Sequence, residues 1–146
     1  MSLMRTPLEA ENQTDAPQAA SGRQCVLVVD DEEEIREVLR LTLTLAGYDV
    51  REAEDGKRAL ASVEVDPPDL IILDVLMPGM NGFEVCRQVR GDSRSAHVPI
   101  LMLSAKTDAR SRAEGLHAGA TAYLTKPIAA DQLIRHVADA LDSSLT

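Results

Sequence analysis

Four apolar runs in this chain each end on residues able to do chemistry. "VLVV" is followed by Asp30 and Asp31, "LIIL" by Asp74, "ILML" by Ser104 and "AYLT" by Lys126. Asp30 and Asp31 also open a run of five acidic residues, with no basic residue until Arg36. Carboxylates this close repel one another, and burial raises their pKa, so something cationic should offset the cost. Three carboxylates with free oxygen ligands suit Mg2+, which prefers octahedral oxygen coordination and keeps several waters. A divalent cation, an amine and a small hydroxyl together suit a phosphoryl group. The cations neutralise oxygens on which charge develops, and the hydroxyl donates to one of them. A carboxylate can itself be the nucleophile, giving an aspartyl phosphate. Asp74 is the best candidate, because the loop after it can lie open to a donor.

The elements that must position these residues alternate strictly. Residues 26–29 read as a buried strand. Residues 32–47 read as a helix with Ile35, Val38, Leu39, Thr42 and Leu45 on its inner face and Gly47 as its stop. A strand over 48–53 and a helix over 55–65, capped by Asp55, come next. A strand over 69–74 leads into the loop "VLMPGMNG", broken by Pro78, Gly79 and Gly82. A short helix over 83–90, a strand over 98–104, a helix over 106–119, a strand over 120–125 and a helix over 128–141 complete the pattern. Leu133, Ile134, Val137 and Leu141 face inward on the last helix. Five such repeats imply parallel strands joined by right-handed crossovers, with helices on both faces. The strands are apolar throughout, as a sheet covered on both sides requires. In such sheets ligands bind outside the carboxyl ends of the strands, where the candidate residues fall.

Composition narrows the function further. The chain has 146 residues, enough for one domain and a tail, and a formal net charge of -9. That balance argues against direct binding to nucleic acid or to an anionic membrane. No apolar stretch is long enough to span a bilayer and no signal-peptide pattern is present, so a cytoplasmic location is expected. Residues 1–22 lack apolar periodicity and read as a flexible tail. "MSL" ahead of Met4 reads as an added leader. Cys25 and Cys86 read as reduced core residues. Met77, Met80 and Met102 read as packing. His97, His117 and His136 have no paired acid or Cys at ligand spacing. Glu32 to Glu34 suit the positive end of a helix and should face solvent, with Glu33 the one that could approach the acidic pocket.

"VVDDEE", "DVLMPGMNGFE", "ILMLSA" and "AYLTKP" together make the chain resemble a response-regulator receiver domain of two-component signalling, from about Gln24 to Leu141. The resemblance implies a flavodoxin-like, doubly wound (βα)5 sandwich in a domain over 23–143. It implies that Asp74 accepts a phosphoryl group from the phosphohistidine of a histidine kinase or phosphotransfer protein. Mg2+ would be bound by Asp31, Asp74 and the backbone carbonyl of Leu76, with Asp30 acting mainly through a metal-bound water. Lys126 would pair with Asp74 and then with the phosphate. Ser104 would turn toward the phosphate on activation, and Tyr123 would swing inward as a switch. The Lys126–Pro127 bond would be cis. The signal would pass through the fourth helix, fifth strand and fifth helix to an output domain or downstream protein. A homodimer, were one to form, would use that same face.

Two other classes compete. A haloacid-dehalogenase-type phosphohydrolase also uses a strand-end Asp, but it wants an Asp-x-Asp pair on the first strand and a cap segment. Here the acids are adjacent and no segment is long enough for a cap. A degenerate receiver would bind partners without phosphorylation, and the intact Asp/Asp/Asp/Ser/Lys set argues against it. The expected protein is a switch that catalyses its own phosphorylation and dephosphorylation, not an enzyme that turns over a metabolite.

Overall fold

The computed structural model describes residues 22–145. The tail expected over 1–22, including the leader before Met4, lies outside the described residues except for Gly22. Five strands and five helices alternate: β1 (Cys25–Val29), α1 (Glu33–Leu45), β2 (Asp49–Ala53), α2 (Gly56–Val65), β3 (Leu70–Leu73), α3 (Gly82–Gly91), β4 (Ile100–Ser104), α4 (Ala109–Ala118), β5 (Ala122–Thr125) and α5 (Ala130–Leu145). All pairings are parallel and the strand order is β2-β1-β3-β4-β5. This is the doubly wound, flavodoxin-like three-layer sandwich. Among the described residues no helix is long and apolar enough to cross a membrane.

Two apolar clusters show why the sheet is covered on both sides. Alternate strand residues feed opposite faces, as the period of two demands. Leu27, Val29, Ile71, Leu73, Ile100 and Met102 pack with Ala59 and Val63 of α2, four residues of α3 and Ala118 of α4. Val26, Val28, Leu70, Ile72, Leu101, Leu103 and Leu124 pack with Leu39 and Leu43 of α1 and Leu133, Val137, Ala140 and Leu141 of α5. With a single phenylalanine in the chain, aliphatic side chains fill both layers. Cys25 and Cys86 are free and buried. Burial pushes the Cys25 thiol up to about 11 and raises that of Cys86, which keeps both unreactive.

The inner face of α1 differs from the expected one. Val38 is 62% exposed and Leu45 83% exposed, whereas Leu43, absent from the expected face, is fully buried. The stretch "VLRLTLTL" places leucines or threonines at nearly every helical angle, so periodicity alone selects no single face. Packing on Val26 and Val28 selects Leu39 and Leu43, four residues apart. The α4 helix also begins later than expected, at Ala109. Asp108 is its N-cap and accepts hydrogen bonds from the Ser111 amide and hydroxyl. Residues 105–108 therefore remain outside the helix and form an exposed loop.

Strand β1 lies between β2 and β3. The chain leaves β1 toward one edge of the sheet and later returns to the other side of it. The crevice at the carboxyl ends of β1 and β3 is thus the topological switch point, where ligands bind in open sheets of this kind.

Candidate functional site

Hydrogen bonds that extend the sheet ladder by one residue fix the strand-end groups. Val29 is paired with Leu73, so Asp30 and Asp74 come next on adjacent strands. The Asp74 amide donates to the Val29 carbonyl at 2.9 Å and the Asp30 amide to the Ala53 carbonyl at 3.2 Å. On the other side, the Lys126 amide donates to the Ser104 carbonyl at 2.9 Å. Five of the candidate residues, Asp30, Asp31, Asp74, Ser104 and Lys126, therefore share one edge, because parallel strands in register end together. The Lys126–Pro127 bond is cis.

Asp30 and Asp74 are only 2% and 5% exposed. The Lys126 Nζ lies 2.8 Å from Asp30 Oδ2 and 3.6 Å from Asp74 Oδ1. The lysine thus hydrogen-bonds Asp30 and makes a longer ion pair with Asp74, the partner that the resemblance implies. The second Asp30 oxygen accepts from the Glu32 amide at 2.9 Å. Burial, followed by the charge of Asp30, pushes the Asp74 carboxyl up to about 6, and Lys126 only partly offsets this. Burial pulls the Lys126 amine down, but the hydrogen bond to Asp30 and the charges of Asp74, Asp30 and Glu32 outweigh it and raise its pKa. A buried carboxylate pair that shares one lysine is left with an electrostatic deficit.

The residues present fit a hard divalent cation. One carboxylate oxygen from each of Asp30, Asp31 and Glu32 lies within 4.8 Å of the others. Glu32 is the glutamate in that cluster, and Asp74 is not in it. Glu32 occupies the N-cap position of α1 without capping it through its side chain, and it is exposed. No sequence signal separated Glu32 from its two neighbours; the turn set by the Asp30–Glu32 bond decides it. The loop after β3 is held by the Leu76 amide, which donates to Asp74 Oδ1 at 3.3 Å. Gly82 closes that loop. Its amide donates to the Val75 carbonyl at 3.0 Å, and a Cβ there would come within 2.8 Å of the Val75 Cα. Leu76 itself is exposed, with its backbone at the rim.

Ser104 is fully buried. Its hydroxyl oxygen accepts from the Lys106 amide at 3.1 Å. Tyr123 is already inside, with its hydroxyl donating to the Lys106 carbonyl at 2.8 Å. Gly115 of α4 makes this possible, because a Cβ there would meet the ring at 2.8 Å. Arg112 lies 5.5 Å from the ring centroid and donates to Thr125 Oγ1 at 2.9 Å. His97, His117 and His136 are exposed.

Comparison with known proteins accords with this geometry. The profile of the response regulator receiver domain family matches residues 26–138. Over 108 residues, 74% of this chain, it is 47% identical to the transcriptional regulatory protein YrkP of Bacillus subtilis, of which it covers 45%. Over 109 residues, 75% of this chain, it is 47% identical to the response regulator MprA of Mycolicibacterium vanbaalenii, of which it covers 46%. The chain thus spans about half the length of these curated relatives. The crystal structure of the chemotaxis protein CheY4 of Vibrio cholerae superposes with a TM-score of 0.78 at 41% identity, covering 81% of this chain and 98% of that one. A putative response regulator from Chloroflexus aurantiacus superposes with a TM-score of 0.79 at 39% identity, covering 82% and 98%.

Proposed function

The chain belongs to the response regulator receiver domain family of two-component signalling, and from that premise we propose that it is a phosphorylation-dependent switch with Asp74 as its acceptor. The observation that carries this reading is the buried Asp30–Asp74 pair with Lys126 between them, 2.8 Å from one and 3.6 Å from the other. We assign the receiver unit to residues 23–143.

An Asp74 carboxylate oxygen attacks the phosphorus of a phosphohistidine on a histidine kinase or phosphotransfer protein. The P–N bond breaks, the imidazole leaves with its electron pair, and an acyl phosphate forms on Asp74. Asp31, Asp74 and the Leu76 carbonyl would hold Mg2+, with Asp30 acting through a bound water. When bound, the ion neutralises phosphoryl oxygens as charge develops on them. Lys126 keeps its charge and turns from Asp30 toward the new phosphoryl oxygens. Ser104 has a hydroxyl hydrogen to donate to a phosphoryl oxygen. That movement would break its bond with the Lys106 amide and disturb the carbonyl that holds Tyr123. The response then spreads over α4, β5 and α5 as a population shift between two packings, with Tyr123 held in or released, and reaches an output domain or downstream protein. A homodimer would use the same face.

Incubation with acetyl phosphate, with and without Mg2+, followed by intact mass measurement, tests the reading. The expected result is one added phosphoryl group that is lost without Mg2+ and lost in Asp74→Asn. No adduct, together with no Mg2+ binding, would make the protein an interaction module that works without phosphorylation.

A further inference from the structure

One partly buried cation at this edge has no part in the phosphoryl chemistry above. Arg36 lies in the first half of α1 with its side chain only 13% exposed. Its Nη1 donates to the Asp30 backbone carbonyl at 2.8 Å. Its Nε donates to Glu52 of β2 at 3.1 Å. Glu52 also forms an ion pair with Arg40, one helical turn further along α1, at 3.2 Å. Asp30 is therefore gripped at both ends: Lys126 and the Glu32 amide hold its carboxylate, and Arg36 holds its carbonyl. The peptide group that carries this carbonyl links Asp30 to Asp31. Its orientation therefore sets the direction in which the Asp31 side chain leaves the backbone.

We infer that Arg36 is a positioning residue for the cation-binding loop, with Glu52 as the anchor that holds it. The inference rests on the reading of this edge as a Mg2+-dependent phosphoacceptor site. A guanidinium suits the role because it makes two directed bonds from one planar group, whereas an ammonium is a point charge. The sign of the effect separates positioning from simple electrostatics. Removing a positive charge beside a cation site should tighten cation binding. Lost positioning should weaken it.

The test uses the full chain without phosphodonor. Mg2+ is titrated while the backbone amide shifts of Asp31 and Glu32 are followed by NMR, and amide exchange at Glu32 is measured without metal. Arg36→Ala should raise the Mg2+ Kd by roughly tenfold, the low end of what loss of a ligand-orienting partner costs. It should also speed Glu32 amide exchange. Glu52→Gln should shift both in the same direction by less. Arg36→Lys, which keeps one donor for the Asp30 carbonyl, should recover part of the affinity. Arg40→Ala removes the same charge from the same glutamate but touches nothing in the loop, so it should leave Kd unchanged or slightly tighter. Should Arg36→Ala not fold, Arg36→Lys carries the comparison, because it keeps the charge and any loss of Mg2+ affinity there comes from lost positioning. An Arg36→Ala or Glu52→Gln protein that binds Mg2+ as the unaltered chain does, or more tightly, overturns the inference while leaving the phosphoacceptor reading intact. An unaltered chain that binds no Mg2+ and takes up no phosphoryl group overturns both.

Discussion

The β1–α1 and β4–α4 junctions sit on the same edge of the same sheet, yet they are held in different ways. At the first, charged groups from three elements converge on Asp30: Lys126 beyond β5, Arg36 of α1 and, through Arg36, Glu52 of β2. At the second, residues 105–110 are all exposed. That segment is tied down by the bond from the Lys106 amide to Ser104, the bond from Tyr123 to the Lys106 carbonyl, and the Asp108 cap. A site that must receive a phosphoryl group benefits from fixed charge before the reaction. A segment that must report the event benefits from a few bonds that can be exchanged at low cost. On the proposed reading, the first junction would carry the chemistry and the second the response.

The strongest challenge to that contrast is Lys126→Ala. It leaves the buried Asp30 carboxylate with only the Glu32 amide, and loss of one partner from a buried ion pair costs about 3 kcal/mol. Urea unfolding at pH 7.5 measures it, and a loss below about 1 kcal/mol would mean the first junction is not locked by charge. Because Lys126 is raised above its ordinary 10.5, its contribution is complete below that value and is lost only as pH climbs through the raised one. The deficit should shrink as pH falls through about 6, where Asp74 takes up a proton and no longer pairs with the lysine.

Next in size is Asp74→Asn without metal. The Asp74 carboxyl is raised from 3.8 to about 6. Between those values the folded state binds more protons than the unfolded one, so stability falls as pH rises through the window. About a unit below 3.8 the group is neutral in both states and the penalty disappears. The variant should thus exceed the unaltered protein by roughly 2 to 3 kcal/mol at pH 7.5 and by almost nothing near pH 3, judged by urea midpoints at both. Saturating Mg2+ should narrow the gap at pH 7.5, because the ion binds the folded acidic pocket.

Effects at the second junction should be smaller. Tyr123→Phe removes the bond to the Lys106 carbonyl and should cost about 1 kcal/mol. It should speed amide exchange over residues 105–110 and leave Mg2+ affinity unchanged. A change in Mg2+ affinity would show that the two junctions are coupled at rest. Ser104→Ala should have the smallest effect on stability. It should keep the added phosphoryl mass yet reduce the NMR shifts over α4, β5 and α5 on phosphorylation. Full-sized shifts in that variant would remove Ser104 from the response.

Much of this was legible in the chain. Apolar runs that end on Asp, Ser or Lys state which side chains reach the carboxyl edge, because parallel strands in register bring those ends together. Strict alternation fixed parallel strands and two covered faces, and Asp55 announced its helix by local capping chemistry alone. What local pattern could not supply depended on neighbours distant in sequence. Strand order, and with it the switch point between β1 and β3, follows from which strands pair rather than from any one of them. The inner face of α1 was chosen by the sheet beneath it, since "VLRLTLTL" offers apolar groups in most directions. That Lys126 hydrogen-bonds Asp30, 96 residues away, and pairs with Asp74 only at 3.6 Å is likewise a matter of tertiary geometry. Arg36 carried no signal as the holder of a carbonyl, because the amino-acid sequence names side chains but does not say where a peptide oxygen points.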